Sequence, residues 1–213
     1  PLSNTYLATT YFKHQVILVP NYTNVTVNSG GILTCNAWNG ATGGVLIFRV
    51  SGNLIINTGG IISASQKGYR GIGHPAIYRN YNGAQGEGIY GQGYIGAASS
   101  GANGYWNFPN GNGGGGGTGT GDAAGAGGGS YGTLGTAGVN WGSHNKGLAG
   151  KLVGDSAVAR LYFGGAGGEG GADEDGGAPG KGGNGGGIIY IGAVSITNNG
   201  TIVSNGEAGG DGG

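Results

Sequence analysis

The sequence predicts an elongated all-β fold, in which β-solenoid-like short strands are joined to a layer of glycine-rich polyglycine II helices. Three observations predict it. Apolar runs and period-2 alternation, broken by Asn-Gly, Gly-Gly and Ser-Gly pairs, fill residues 1–67. Strand character of the same kind returns over 187–206, within a last region of 187–213, and glycine, 59 of 213 residues, crowds the 68–186 interval between the two. The three regions read as one continuous domain: a strand-rich N-terminal region, a glycine-rich region, and a repeated strand coil that opens a second glycine-rich stretch.

The N-terminal strands are expected at Val16-Ile17-Leu18-Val19, Val25-Thr26-Val27, Ile32-Leu33-Thr34, Val45 to Val50, Leu54-Ile55-Ile56 and Ile61-Ile62-Ser63-Ala64. Each is short, rich in β-branched residues and bounded by turn formers. No segment carries a helical period. The second strand region echoes the first: Gly44-Val45-Leu46-Ile47-Phe48 returns as Gly187-Ile188-Ile189-Tyr190-Ile191, and Leu54, Ile56, Gly60 and Ile62 as Val194, Ile196, Gly200 and Ile202. Such an echo is expected of solenoid coils whose neighbours stack in register.

The central region poses an energetic problem. Ordering a residue costs about 1 to 2 kcal/mol of backbone entropy, and glycine buries no side chain in return. Dense backbone hydrogen bonds between segments, each worth about 1 kcal/mol net, are the available compensation. Left-handed extended helices with three residues per turn have no internal bonds and point every N–H and C=O at a neighbour. Near-triplet stretches such as Gly111-Asn112-Gly113-Gly114-Gly115 and Gly164 to Ala172 suit that packing. Mobile glycine loops hung on a solenoid are the alternative.

Composition removes several classes. Charged residues make up 8% and hydrophobic residues 37%, too little charge and too much apolar surface for a disordered linker. Five Pro and no sustained Gly-X-Y period exclude collagen. Nine Lys plus Arg balance nine Asp plus Glu, so neither nucleic acid nor an anionic membrane is an expected partner. No apolar run approaches a membrane span, so no membrane insertion is expected. The chain opens on Pro1-Leu2-Ser3, with neither an initiator Met nor a signal-peptide pattern, as expected of a processed form or a fragment. The single Cys35 reads as a small buried apolar residue or, alternatively, as an intermolecular bridge.

Chemistry is sparsely signalled. Apparent Gly-x-Gly-x-x-Gly matches arise by chance in such a composition, and Gly180-Lys181 continues into Gly182 rather than Ser or Thr, so no nucleotide and no other cofactor is expected. The cluster Asp173-Glu174-Asp175 reads first as a solvated loop tip. Asp173 and Asp175 are weak candidates for a Ca²⁺ site or for a carboxylate pair in sugar-chain cleavage.

Binding is better motivated. Tyr78, Tyr81, Tyr105, Trp106, Phe108 and Trp141 stand among Gly, Asn and Ser, a mixture of rigid aromatic anchors and adaptable polar groups suited to recognition. Tyr and Trp stack on sugar faces while offering a polar tip. The densest patch is Tyr105-Trp106-Asn107-Phe108-Pro109. The competing reading has these rings covering the edges of the glycine layers.

The segment Val25-Thr26-Val27-Asn28-Ser29-Gly30-Gly31, the coil Gly44 to Phe48 and the glycine run ending in Gly185-Gly186-Gly187-Ile188-Ile189-Tyr190 resemble glycine-rich surface proteins of bacteria and their phages. The chain is also similar in composition to the tail-fibre tip adhesins of T4-like phages. That resemblance implies a polyglycine II sandwich carrying receptor-binding loops. The expected function is therefore a non-enzymatic extracellular adhesin or receptor-binding module of a virion tail fibre or cell-surface fibre. Its partner would be a host-surface glycan or protein, and it would self-associate or attach to a fibre. A self-assembling subunit of an extracellular filament or sheath is the alternative, and a solenoid depolymerase a third.

Overall fold

A strand needs a paired neighbour as well as an apolar face, and here the neighbours are successive passes of the same chain. The computed structural model describes residues 13–73, 81–95, 105–120, 122–142, 144–174 and 177–211. A first pass carries β1 (Asn21–Tyr22), β2 (Val25–Val27) and β3 (Ile32–Thr34), and a second carries β4 (Val45–Ile56) and β5 (Ile61–Ser63). The glycine-rich region holds a 3-10 turn at Tyr105–Asn107 and one small antiparallel pair, β6 (Gly119–Thr120) with β7 (Asp122–Ala123). A third pass, β8 (Ile188–Asn198) and β9 (Thr201–Val203), follows it.

All pairing between passes is parallel. β1 and β2 lie along one edge of β4 and β8 along the other, while β3, β5 and β9 form a second sheet in that order. The alternating positions Leu46, Phe48, Val50, Leu54 and Ile56 of β4 point inward with Val27 and Ile62 to make the core. Leu33, Cys35, Ile189 and Ile191 pack against it, so Cys35 is a small core-flanking residue whose thiol pKa burial raises. Turns stack as the strands do: Gly30 and Gly59 both take a positive φ that favours glycine, and the Gly30 amide donates to the Gly59 carbonyl. The fold is thus mostly β, with almost no helix among the described residues and no closed barrel.

The echo between the strand regions is in register for Val45 to Phe48 against Ile188 to Ile191 and for Ile62 against Ile202. It slips between these points. Leu54 opposes Ile196 rather than Val194, because of the three extra residues that the second pass carries between Val45 and Ile62 only one lies within the strand, at a bulge between Val50 and Asn53, and the other two fall in the turn between Ile56 and Ile61. The run Val16 to Val19 forms no strand, and Val16 and Leu18 are exposed. The first-pass contact with β4 begins only at Pro20, whose carbonyl accepts from the Arg49 amide. An apolar run without a paired neighbour has no reason to extend into a ladder.

The glycine-rich region is an insertion between the second and third passes. Its exit and return lie side by side, since the Gly68 amide donates to the Gly185 carbonyl and the Gly185 amide to the Tyr69 carbonyl. Within it, extended segments bond in three directions at once. Every amide from Gly164 to Ala172 donates, and the acceptors rotate with a three-residue period. Gly164, Gly167 and Gly170 reach Gly186, Gly183 and Gly180; Gly165, Gly168 and Gly171 reach Ser130, Gly127 and Ala124; Ala166, Glu169 and Ala172 reach Glu87, Ala84 and Tyr81. Residues 111–119 are buried throughout, bonding to 83–86, 124–130, 145–148, 166–169 and the Trp106 carbonyl.

Buried polar side chains cross-link the segments. Buried Asn112 accepts from the Ile89 amide at 3.0 Å and donates to the carbonyls of Ser130 and Phe163 at 3.2 and 3.0 Å. Ser130 donates to the Gly150 carbonyl and accepts from the Gly135 amide. Buried Glu169 accepts from the Ala84 amide.

Candidate functional site

The rim of the glycine block carries its rings on a scaffold of backbone bonds. Asn107 ends the 3-10 turn with its carbonyl accepting from the Leu148 amide, and the Trp106 carbonyl accepts from Gly116 in the middle of the block. Trp106 is half-buried and packs on Tyr94, ring centroids 4.6 Å apart. Gln85 joins the two segments: its Nε2 donates to the Phe108 carbonyl at 2.7 Å, and its Oε1 accepts from the Tyr94 amide at 3.0 Å. Phe108 is 53% exposed, and Tyr90 and Tyr94 are exposed as well. A cluster of rings thus stands at the surface on a backbone fixed from below. The Trp106 indole N–H is buried without a partner among the described residues.

Other expected binding residues lie apart from this cluster. Trp141 is exposed in a tight turn closed by its own carbonyl and the His144 amide, with no ring contact among the described residues. Tyr81 is half-buried, its backbone bonded in both directions to Ala172 inside the block. Tyr105 lies in the same turn as Trp106. Tyr78 lies outside the described residues, as does Asp175. Asp173 accepts from the Gly177 amide and so helps close its own loop. Among the described residues no group of three or more metal-ligating side chains gathers.

A concavity of about 350 Å³ lies where the strand passes meet the glycine block. Phe163 fills this seam, packed between Trp38 at 5.4 Å and Tyr69 at 5.2 Å between centroids. At its edge Arg70 and Glu87 pair, Nε to Oε2 3.0 Å, with the Arg70 side chain 37% exposed and the Glu87 side chain 4%. The Arg70 guanidinium also donates to the Asn39 carbonyl, and the Arg70 amide to Glu87. Burial, then the charge of Glu87, then Tyr162 push the Tyr69 phenol up to about 12. The Arg70–Glu87 pair locks two parts of the fold together, because its charged atoms already have protein partners, whereas the Trp38 indole N–H is buried without a partner among the described residues.

Sequence reading missed Gln85, Arg70 and Glu87. For the last two a signal existed, since isolated opposite charges in so uncharged a stretch are candidates to pair. For Gln85 there was none: its partners sit 9 and 23 residues away, at spacings no local pattern encodes. Comparison of the chain with family models, curated proteins and solved structures yields no match in any of the three.

Proposed function

We propose that the chain is a non-enzymatic extracellular adhesin or receptor-binding module of a virion tail fibre or cell-surface fibre, in which a β-solenoid stem and a block of polyglycine II strands hold an aromatic patch against a host-surface glycan or protein. The rotation of successive Gly164 to Ala172 amides among three neighbours supports the polyglycine II reading, because three residues per turn without internal bonds is that helix's defining property. The three parallel passes, with turns and apolar residues stacked, support the solenoid reading.

One observation carries the function: Tyr94, Trp106 and Phe108 present rings at a surface whose backbone is already fixed. Rings with few rotatable bonds on an ordered support lose little entropy on binding, and ring faces suit sugar faces. The test uses labelled protein against a panel of cell-surface glycans and outer-surface proteins. Phe108→Ala removes an exposed ring and leaves the carbonyl bond to Gln85, so folding is retained. The expected result is an affinity loss of about tenfold or more. Undiminished binding by Phe108→Ala, or no binding by the parent protein across the panel, contradicts the reading.

A second reading, a self-assembling filament or sheath subunit, is favoured by the outer edge of the third pass. Among the described residues β8 pairs only with β4, and Tyr190, Val194 and Ile196 on it are exposed, Val194 at 81%. An unpaired strand edge with apolar residues templates association. Electron microscopy separates the readings: discrete tips favour adhesion, long regular filaments favour assembly.

A further inference from the structure

The glycine block is open along one side. A cleft of about 680 Å³ runs between residues 124–129 on one wall and 180–184 on the other, with residues 165–171 as its floor. It continues past Gly129 and Gly165 into a second cleft of about 380 Å³ that reaches Gly186.

The backbone groups along this cleft follow the same three-residue phase as the rest of the block. In 124–130, the amides of Ala124, Gly127 and Ser130 reach one neighbour, residues 112–118, and those of Gly125 and Gly128 reach another, residues 136–139. The third phase, Ala126 and Gly129, donates to nothing among the described residues, and both residues line the cleft. With two of three directions taken by neighbours, the third opens on it. On the opposite wall the amides of Gly183 and Gly186 are likewise without partners, and on the floor the carbonyls of Gly165, Gly168 and Gly171 accept nothing. Positive N–H rows on the walls therefore face a negative C=O row on the floor, with a repeat of about 9 Å for three residues at 3.1 Å rise.

We propose that this cleft binds one extended glycine-rich polypeptide segment from a partner protein, added to the block as a further polyglycine II strand. Such a segment offers carbonyls to the walls and amides to the floor in matching phase. Its residues that face the block must be glycine, because packed segments here leave no room for side chains: a Cβ on Gly129 would sit 2.1 Å from the Gly165 carbonyl oxygen. Among the described residues Lys181 and Glu207 are the only charged ones lining the main cleft, and their charges oppose, which suits an uncharged occupant. The proposal rests on the polyglycine II geometry proposed above but not on adhesion.

The probe is a peptide of Gly-Gly-Asn triplets about twelve residues long, compared with one of Gly-Val-Asn triplets. The expected result, followed by two-dimensional NMR of the isotope-labelled protein, is saturable one-to-one binding of the first peptide only. Hydrogen exchange at Ala126, Gly129, Gly183 and Gly186 should slow by about tenfold or more. Gly170→Leu should abolish binding at an unchanged Tm, because a Cβ there enters the cleft between Gly180 and Ala124 with its nearest atom 3.6 Å away. The peptide comparison needs no variant and stands even if Leu disturbs folding. Unshifted amides at millimolar peptide, equal binding of both peptides, or undiminished binding by a folded Gly170→Leu overturns the proposal. So does a protein that dimerises with these amides already protected, since the occupant is then a second copy. Phe108→Ala should leave peptide capture intact, which separates failure of this proposal from failure of the adhesin reading.

Discussion

Glycine at many positions of the central block is required by distance rather than by backbone angle. A Cβ on Gly165 would lie 1.8 Å from the Asn112 carbonyl oxygen, and neither backbone can move without breaking its other bonds. Gly165→Ala is therefore expected to destabilise by about 3 kcal/mol or more, read as a fall in Tm or in the urea midpoint. Gly132→Ala, where a Cβ meets nothing within 4 Å, should fall within about 0.5 kcal/mol of the parent protein. Equal effects would show that composition, not close approach, governs stability. Tyr69 makes a second prediction. Its phenol is raised from 10.0 to about 12, so the folded state holds a proton that the unfolded state loses first. The stabilisation is complete below about pH 10 and disappears as pH climbs toward 12, a decline that Tyr69→Phe should reduce. Unfolding midpoints measured across that range, identical in slope for the two proteins, would refute it. That glycine is indispensable here was legible from composition; that Asn112 binds Ile89, Ser130 and Phe163 was not, because contacts 18 to 51 residues apart leave no periodic trace.

Strands were legible wherever alternation coincided with a partner. β4 and β5 fall on runs that the sequence marks, and β8 on their echo, because inward residues must recur at every second position and successive passes must repeat them. The pattern misled in two places. Val16 to Val19 has strand composition but no paired neighbour among the described residues, and the match of Leu54 to Val194 placed all the extra residues of the second pass before Leu54, whereas one forms the bulge in β4 and two lie in the turn after Ile56, so that the true partner is Ile196. Counting residues cannot reveal a bulge, which needs only one residue and has no obligatory sequence. The aromatic patch was half legible. Trp106 and Phe108 were marked by their crowding, whereas the packing of Trp106 on Tyr94 and the Gln85 bridge depend on how three separated segments come together.

As a whole, the molecule solves one problem twice. The strand passes exclude water with alternating apolar side chains around Phe48, Leu54, Ile56 and Ile62, while the glycine block has few side chains to bury and instead satisfies its backbone in three directions. Phe163, Trp38 and Tyr69 join the two solutions, and the exit and return of the block lie against each other at Gly68 and Gly185. If polyglycine II packing makes this block a solid, its amides can open only when many neighbouring bonds break together. Residue-resolved hydrogen exchange measures this most directly. Amides of Gly164 to Ala172 are expected to exchange as slowly as those of β4, with protection set by global unfolding. Exchange of those amides near the unprotected rate, while β4 remains protected, would contradict the account.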